Sequence, residues 1–266
     1  MATLQHVNLP GGRVEYRWIG QKQSVLRDVD QPVLVFLHEG LGCIALWKEF
    51  PDQVAEVTGL PALVYSRVGY GGSDPCVLPR PLTYMHDEAK IELPALLSAL
   101  GIGRHILIGH SDGASISLIY AGSGAREGLL GLAVLAPHSF CEDISIKSIQ
   151  AAHRAYEETD LRSRLAKYHG DNVDYAFRGW CDAWLTREFR HWNIEEYVKR
   201  ITAPVLVIQG EDDEYGTAAQ VDFIAQQAGG RVETQLLPCC GHSPHRDQPD
   251  VTRDALKSFI RKLTSF

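Results

Sequence analysis

The chain has 266 residues, 45% of them hydrophobic and 22% charged, the balance of a folded soluble protein and not of a disordered or fibrous one. This length buries a large core without cross-links, as one α/β domain with an insertion or as two small domains. With 26 Lys and Arg against 33 Asp and Glu the formal charge is −7, so no overall basic surface exists for nucleic acid or an anionic membrane.

Taken in chain order, Leu4 to Leu9 and Arg13 to Ile19 read as an antiparallel hairpin turned at Pro10-Gly11-Gly12. Met1 to Pro10 lacks a basic stretch followed by an apolar one, so it does not read as a secretory signal, and the cytoplasm is the expected compartment. A polar, charged loop, Gln21 to Gln31, precedes Val33 to Leu37, whose unbroken apolar run predicts a strand buried on both faces. Even this run is far short of the ~20 residues that span a bilayer. The same signature recurs at Ala62 to Tyr65, His105 to Ile108, Leu129 to Leu135 and Val205 to Ile208, and more weakly at Val232 to Leu237. Apolar residues at three-to-four spacing predict helices over Ala45 to Val57, Thr83 to Leu100, Ala114 to Ala121, Ala218 to Ala228 and Val251 to Leu263. Strands alternating with helices imply a mostly parallel sheet of eight strands, flanked by helices on both sides.

From about His138 to Arg200 the alternation stops. Ile144 to Tyr168, Val173 to Trp184 and Ile194 to Ile201 read as amphipathic helices inserted between two strands. The expected organisation is therefore a core of residues 1–137 and 201–266 with a helical cap at 138–200. Trp180, Trp184 and Trp192 lie in the insertion; Trp180 and Trp184 either line an apolar pocket or anchor the insertion. Six cysteines without C-x-x-C spacing read as mostly reduced, buried thiols, the adjacent Cys239 and Cys240 as packing residues where a strand becomes a loop.

The chemistry gathers where strands end. Ile106-Leu107-Ile108 runs into Gly109-His110-Ser111-Asp112-Gly113 and then a helical segment, which is G-x-S-x-G in its strand-turn-helix setting. A serine lifted off a strand end leaves no room for side chains beside it, hence the two glycines. Such a nucleophile needs a base and an orienting acid. Downstream, Val205 to Ile208 ends in Glu211-Asp212-Asp213-Glu214, and Val232 to Leu237 ends in Gly241-His242. All three groups would share one rim of a parallel sheet.

These motifs resemble the α/β-hydrolase superfamily, over most of the chain. The resemblance implies Ser111 as nucleophile, Asp213 as acid through Gly210-x-x-Asp213, and His242 as base. Ser66 to Ser73 is similar to the family's R-G-x-G-x-S loop with one extra residue after Arg67. An oxyanion hole is implied at the N–H of Asp112 and of Gly40, although Glu39 stands where the first glycine of that loop is usual. Asp212 and Glu214 compete with Asp213, and spacing favours Asp213. Glu39 is either a brace or a substrate contact; His110 and Asp112 flank the nucleophile, with Asp112 expected nearer the pocket mouth. Trp47 and His138 are candidate walls, and Tyr215 wall or rim.

His242, His245 and Asp247 could be imagined as metal ligands but lack helical H-E-x-x-H framing, and Gly69, Gly71 and Gly72 lack the spacing of a phosphate cradle. The expected activity is hydrolysis, without cofactor or metal, of a small to medium carboxylic ester through an acyl-enzyme on Ser111. Lactones, amides and C–C bonds of dienoic ketoacids remain alternatives; the last would call for a cation such as Arg67, Arg178 or Arg187. A non-catalytic ligand receptor is a further alternative. The expected partner is a small molecule, with neither nucleic acid nor membrane, and the oligomeric state is left open.

Overall fold

The strands predicted to be buried on both faces set the architecture, because their alternate residues feed two separate cores. In the computed structural model, which describes residues 4–20, 31–124 and 127–264, the strands are β1 (Gln5–Leu9), β2 (Gly12–Ile19), β3 (Val33–Leu37), β4 (Ala62–Tyr65), β5 (His105–His110), β6 (Leu129–Leu135), β7 (Val205–Gly210) and β8 (Val232–Leu237). They form one sheet in the order β1-β2-β4-β3-β5-β6-β7-β8. β2 is antiparallel to both its neighbours, and β4 through β8 run parallel. The loop read over 21–31 lies, except for Gln31, outside the described residues, as do residues 1–3.

The helices are α1 (Phe50–Thr58), α2 (Tyr84–Asp87), α3 (Leu93–Ala99), α4 (Asp112–Gly122), α5 (Asp143–Glu158), α6 (Leu161–His169), α7 (Val173–Leu185), α8 (Glu195–Val198), α9 (Ala218–Gln227), α10 (Pro244–Asp247) and α11 (Pro249–Thr264). Val33, Val35, Leu37, Leu107, Val134 and Val207 face one core, shared with α3, α4 and α7. Leu34, Phe36, Ile106, Ile108, Leu135 and Ile208 face the other, with Phe50 and Val54 of α1 and Leu256 and Phe259 of α11. Among the described residues, no helix is long and apolar enough to cross a membrane.

Several helix boundaries differ from expectation for identifiable reasons. The segment Ala45 to Val57 begins as a 3-10 turn (Ile44–Trp47) and breaks at Lys48, whose φ is 55°. Pro51 has no N–H and is tolerated only in a first helical turn, so α1 starts afresh at Phe50. Thr83 to Leu100 is interrupted by a π turn at Glu88–Glu92, after which Pro94 falls in the first turn of α3. Ile144 to Tyr168 divides at Thr159, which is extended and whose hydroxyl oxygen accepts from Leu161 N–H at 3.2 Å. Of Ile194 to Ile201, only Glu195–Val198 is helical. All six cysteines are free; Cys43, Cys181 and Cys240 are buried, but Cys239 is exposed with φ 53° and is not the packing residue expected of it.

Between β6 and β7 the helical segment is tied to the core at several places, two of which adjoin the loops after β7 and β3. Near its start, Glu142 accepts from Thr217 N–H (3.0 Å) and Thr217 Oγ1 (2.6 Å), while Ser145 and Ser148 donate to the carbonyls of Tyr215 and Glu214. At the α6–α7 junction His169 Nδ1 accepts from Gly71 N–H (3.1 Å) and Nε2–H donates to Leu41 O (3.0 Å). Asn172 Nδ2 donates to Gly71 O (3.1 Å) and Ser73 O (2.6 Å). Asn172→Ala would strand both carbonyls in a buried junction, each at ~1–3 kcal/mol. A drop of several degrees in the thermal midpoint is expected; an unchanged midpoint would mean that Asn172 does not hold the junction.

Candidate active site

Ser111 sits at the C-terminal end of β5 with φ 53° and ψ −116°, a conformation costly for a residue with a Cβ. The turn holds because nothing else fits. A Cβ on Gly109 would collide with the Gly113 carbonyl, and one on Gly113 with the Leu37 carbonyl of β3. Ser111 N–H is spent on Leu135 O at 2.9 Å. The next residue, Asp112, opens α4, where the first N–H groups lack intrahelical partners.

Three strand ends converge on this serine. His242, after β8, has Nε2 2.9 Å from Ser111 Oγ and Nδ1 2.8 Å from Asp213 Oδ1, after β7. An ionised carboxylate only accepts, so Nδ1 carries the proton and Nε2 turns its lone pair to the serine hydroxyl. Asp213 Oδ1 also accepts from Tyr215 N–H (2.8 Å) and Gly216 N–H (3.2 Å). Burial pushes the Asp213 carboxyl up, but the hydrogen bond and charge of His242 and the Tyr215 N–H outweigh it and hold the group below the usual carboxylate range. Its competitors face elsewhere: Asp212 is exposed, and Glu214 accepts from the His242 backbone N–H at 3.2 Å.

The loop after β3 is set from behind by Arg67. The fully buried guanidinium donates to His38 O (2.5 Å) and Glu39 O (3.0 Å), and His38 Nδ1–H also donates to Glu39 O at 2.7 Å. In a trans peptide the N–H points opposite to its carbonyl, so Gly40 N–H is directed away from Arg67. The indole of Trp180 lies so close that a Cβ at Gly40 would collide with it. Arg67, considered as a cation for a substrate carboxylate, is thus a buried brace; Arg178 pairs with Glu157 at 2.5 Å, and Arg187 does not line the cavity described next.

A cavity of about 90 Å³ lies beside Ser111, lined by Glu39, Gly40, Leu41, His138, Ser145, Ile149, Trp180, Trp184, Tyr215 and His242. Glu39, His138, Trp180, Trp184 and Tyr215 therefore stand where the sequence suggested walls. Trp47 does not: the 3-10 turn folds it under the sheet, where it packs on Phe36 (5.4 Å between rings) and His245 (4.8 Å). Trp192 stacks on Phe189, outside the wall. Asp112 is not at the mouth either; fully buried, it accepts from Tyr84 Oη at 2.6 Å, and Tyr84 Oη in turn accepts from Trp184 Nε1–H at 3.0 Å. Leu41, Ser145 and Ile149 went unread. Ser145 and Ile149 are four apart on α5, and that helical spacing was the available signal.

Glu39 is both wall and brace. Its carboxylate faces His110 Nδ1 at 3.4 Å and Arg246 at 3.3 Å, and burial, which pushes it up, is outweighed by His110 and Arg246, leaving it well below the usual range. His110 Nε2–H donates to His242 O at 2.7 Å. His242, His245 and Asp247 point apart: His245 is buried against Trp47, Phe50 and His110, and Asp247 accepts from Gly241 N–H. Among the described residues no group of three His, Cys, Asp or Glu is arranged to hold a metal ion.

A model of the alpha/beta hydrolase family matches residues 34–255. The chain is 22% identical over 258 aligned positions to 2-succinyl-6-hydroxy-2,4-cyclohexadiene-1-carboxylate synthase of Serratia proteamaculans, covering 88% of this chain and 94% of that one. It is 23% identical to a proline iminopeptidase of Lactobacillus helveticus over 292 aligned positions, covering 94% and 95%. In structure it is similar to an esterase from Rhodococcus sp., with a TM-score of 0.72 at 18% identity, covering 99% of this chain and 100% of that one.

Burial holds the imidazoles of His245 and His138 below their ordinary value of 6.5, His138 down to about 3, with His110 and His242 respectively adding to the effect. An unfolded chain takes up protons at these rings near pH 6.5 while the folded one does not, so their contribution to stability is complete above that pH and is lost as pH falls. His245→Phe should flatten the loss of stability between pH 6.5 and 5 by up to about 1.4 kcal/mol per pH unit. Denaturant titrations across that range measure it; an unchanged slope would show that His245 is protonated in the fold.

Proposed function

The chain belongs to the alpha/beta hydrolase family, and from that premise we propose that it is a serine hydrolase acting on a short-chain carboxylic ester. The observation that carries this reading is the line Ser111 Oγ, His242 Nε2, His242 Nδ1, Asp213 Oδ1, with links of 2.9 and 2.8 Å. In the proposed reaction His242 takes the Ser111 proton as Oγ attacks the scissile carbonyl. The N–H groups of Gly40 and Asp112 receive the oxyanion, and His242 then protonates the departing alkoxide. Water repeats the sequence on the acyl-enzyme. No metal or cofactor takes part in this scheme.

The size of the cavity, about 90 Å³, supports a small acyl group, since a cavity of ~150 Å³ holds a benzene ring. Segment 138–200 acts as the cap over it. Its wall contains no Lys or Arg, which speaks against a ketoacid whose carboxylate must be paired. A second reading comes from the relatives named proline iminopeptidase: an amide next to a free amine, with Glu39 facing the cation. Glu39 is already paired with Arg246 at 3.3 Å, so the ester reading is preferred.

Ser111→Ala should abolish both turnover of p-nitrophenyl esters and labelling by a fluorophosphonate, a loss of at least ~10⁴-fold in kcat. Across acetyl, butyryl and octanoyl esters the rate should fall with length. Hydrolysis that survives in Ser111→Ala would sink the assignment, and a preference for proline p-nitroanilide over every ester would select the second reading. Labelling without turnover of any substrate would point to a receptor. Asp213→Asn should retain the fold and lose ~10⁴-fold in kcat, because His242 then loses the tautomer that leaves Nε2 basic; near wild-type turnover would assign the acid elsewhere.

A further inference from the structure

The cavity beside Ser111 carries hydrogen-bonding capacity that neither the triad nor the fold uses. His138 is 2% exposed, and its Nδ1 is buried without a partner. Its ring, part of the cavity wall, is fixed between Trp184 (5.2 Å) and His242 (5.7 Å). Burial, reinforced by His242, keeps this imidazole neutral, so it presents one donor and one acceptor. Two more groups share the wall. Among the described residues no hydrogen bond engages Trp180 Nε1–H or Tyr215 Oη, and burial pushes the Tyr215 phenol up to about 12, so it keeps its proton. By contrast, Ser145 Oγ is spent on Tyr215 O.

The chemistry of these groups defines what would complete them. Trp180 only donates, while Tyr215 and neutral His138 each offer one donor and one acceptor, so these three groups together present three donors to the cavity. An alkyl acyl group would leave all three unpaired. A carboxylate would accept from them but would lie in a wall that contains Glu39 and no Lys or Arg. What remains is a neutral oxygen. Resting on the serine-hydrolase reading, we propose that His138, with Trp180 and Tyr215, selects short acyl esters bearing a neutral oxygen substituent on the α or β carbon of the acyl chain.

The test uses methyl butanoate, methyl 2-hydroxybutanoate and methyl 3-hydroxybutanoate, one carbon skeleton with the oxygen absent or moved, each rate normalised to hydrolysis by hydroxide. In the wild type one hydroxylated ester should exceed methyl butanoate by at least ~30-fold in kcat/KM, the discrimination open to a site built to bond a hydroxyl. His138→Leu should cut kcat/KM for that ester ~30-fold more than for methyl butanoate, while His138→Gln, which can still donate and accept, should keep part of the preference. Trp180→Phe removes one donor while keeping an aromatic ring, and should also narrow it. Equal normalised rates in the wild type, or a preference untouched by all three variants, would overturn the proposal.

Binding provides a measure independent of turnover. In the Ser111→Ala protein, 2-hydroxybutanamide or 3-hydroxybutanamide should perturb the fluorescence of Trp180 and Trp184 at lower concentration than butanamide does, and adding His138→Leu should remove the difference. Identical binding of the three amides would refute the selection by His138. Failure of a fluorophosphonate to label Ser111 would instead refute the hydrolase reading, so the two failures are told apart.

Discussion

Everything at the candidate site depends on how closely α4 approaches the ends of β5 and β3. Because Gly109 and Gly113 leave backbone against backbone, the chain can reverse from strand to helix within one residue, and Ser111 takes a left-handed φ of 53° at the apex. That strain is held by parallel strands on both sides, which bury β5 completely. The same turn that raises the hydroxyl also starts a helix, so an N–H without an intrahelical partner arises beside Ser111 without any further device. His242 and Asp213 then need only emerge from neighbouring strand ends to meet it. A parallel sheet brings those ends to one rim as a matter of geometry.

Much of this could be read from the residues. Strands buried on both faces are short continuous apolar runs closed off by turn residues, and the strands of the sheet lie within two residues of those runs. Ser111, Asp213 and His242 were legible for a related reason: each follows a strand, and glycines mark the tight turns around them. What escaped was set by contacts between segments far apart in sequence. Nothing in the order of residues tells that Trp47 folds beneath the sheet while Trp180 and Trp184 fold above it. Nor does it tell that Asp112 turns inward to Tyr84 (2.6 Å) or that Arg67 is consumed by two carbonyls. The helix breaks at Lys48 and Thr159 were missed because apolar spacing carried across them, although Pro51 gave a local sign of the first.

The charges around the site form a chain in which each member fixes the next. Arg246 pairs with Glu39, which faces His110; His110 reaches the carbonyl of His242; Glu214 receives the N–H of the same residue. His242 is thus fixed by its backbone on both sides as well as by Asp213, which narrows the range over which its ring can tilt toward Ser111. Glu39, which breaks the glycine pattern usual for its loop, becomes intelligible as the residue linking that loop to the histidine loop. Its substitution would disturb two sides of the site at once.

The attachment of the helical segment to the loops after β7 and β3 has a consequence for how this molecule could be re-engineered. Glu142, Ser145 and Ser148 grip the loop that carries Asp213, and His169 grips the carbonyl of Leu41, next to Gly40. The segment is therefore no interchangeable cover. Grafting it from a relative would import a foreign set of sockets for the Asp213 loop and for the Gly40 loop, and under the proposed reaction a chimera would show altered turnover even on substrates too small to touch the grafted residues.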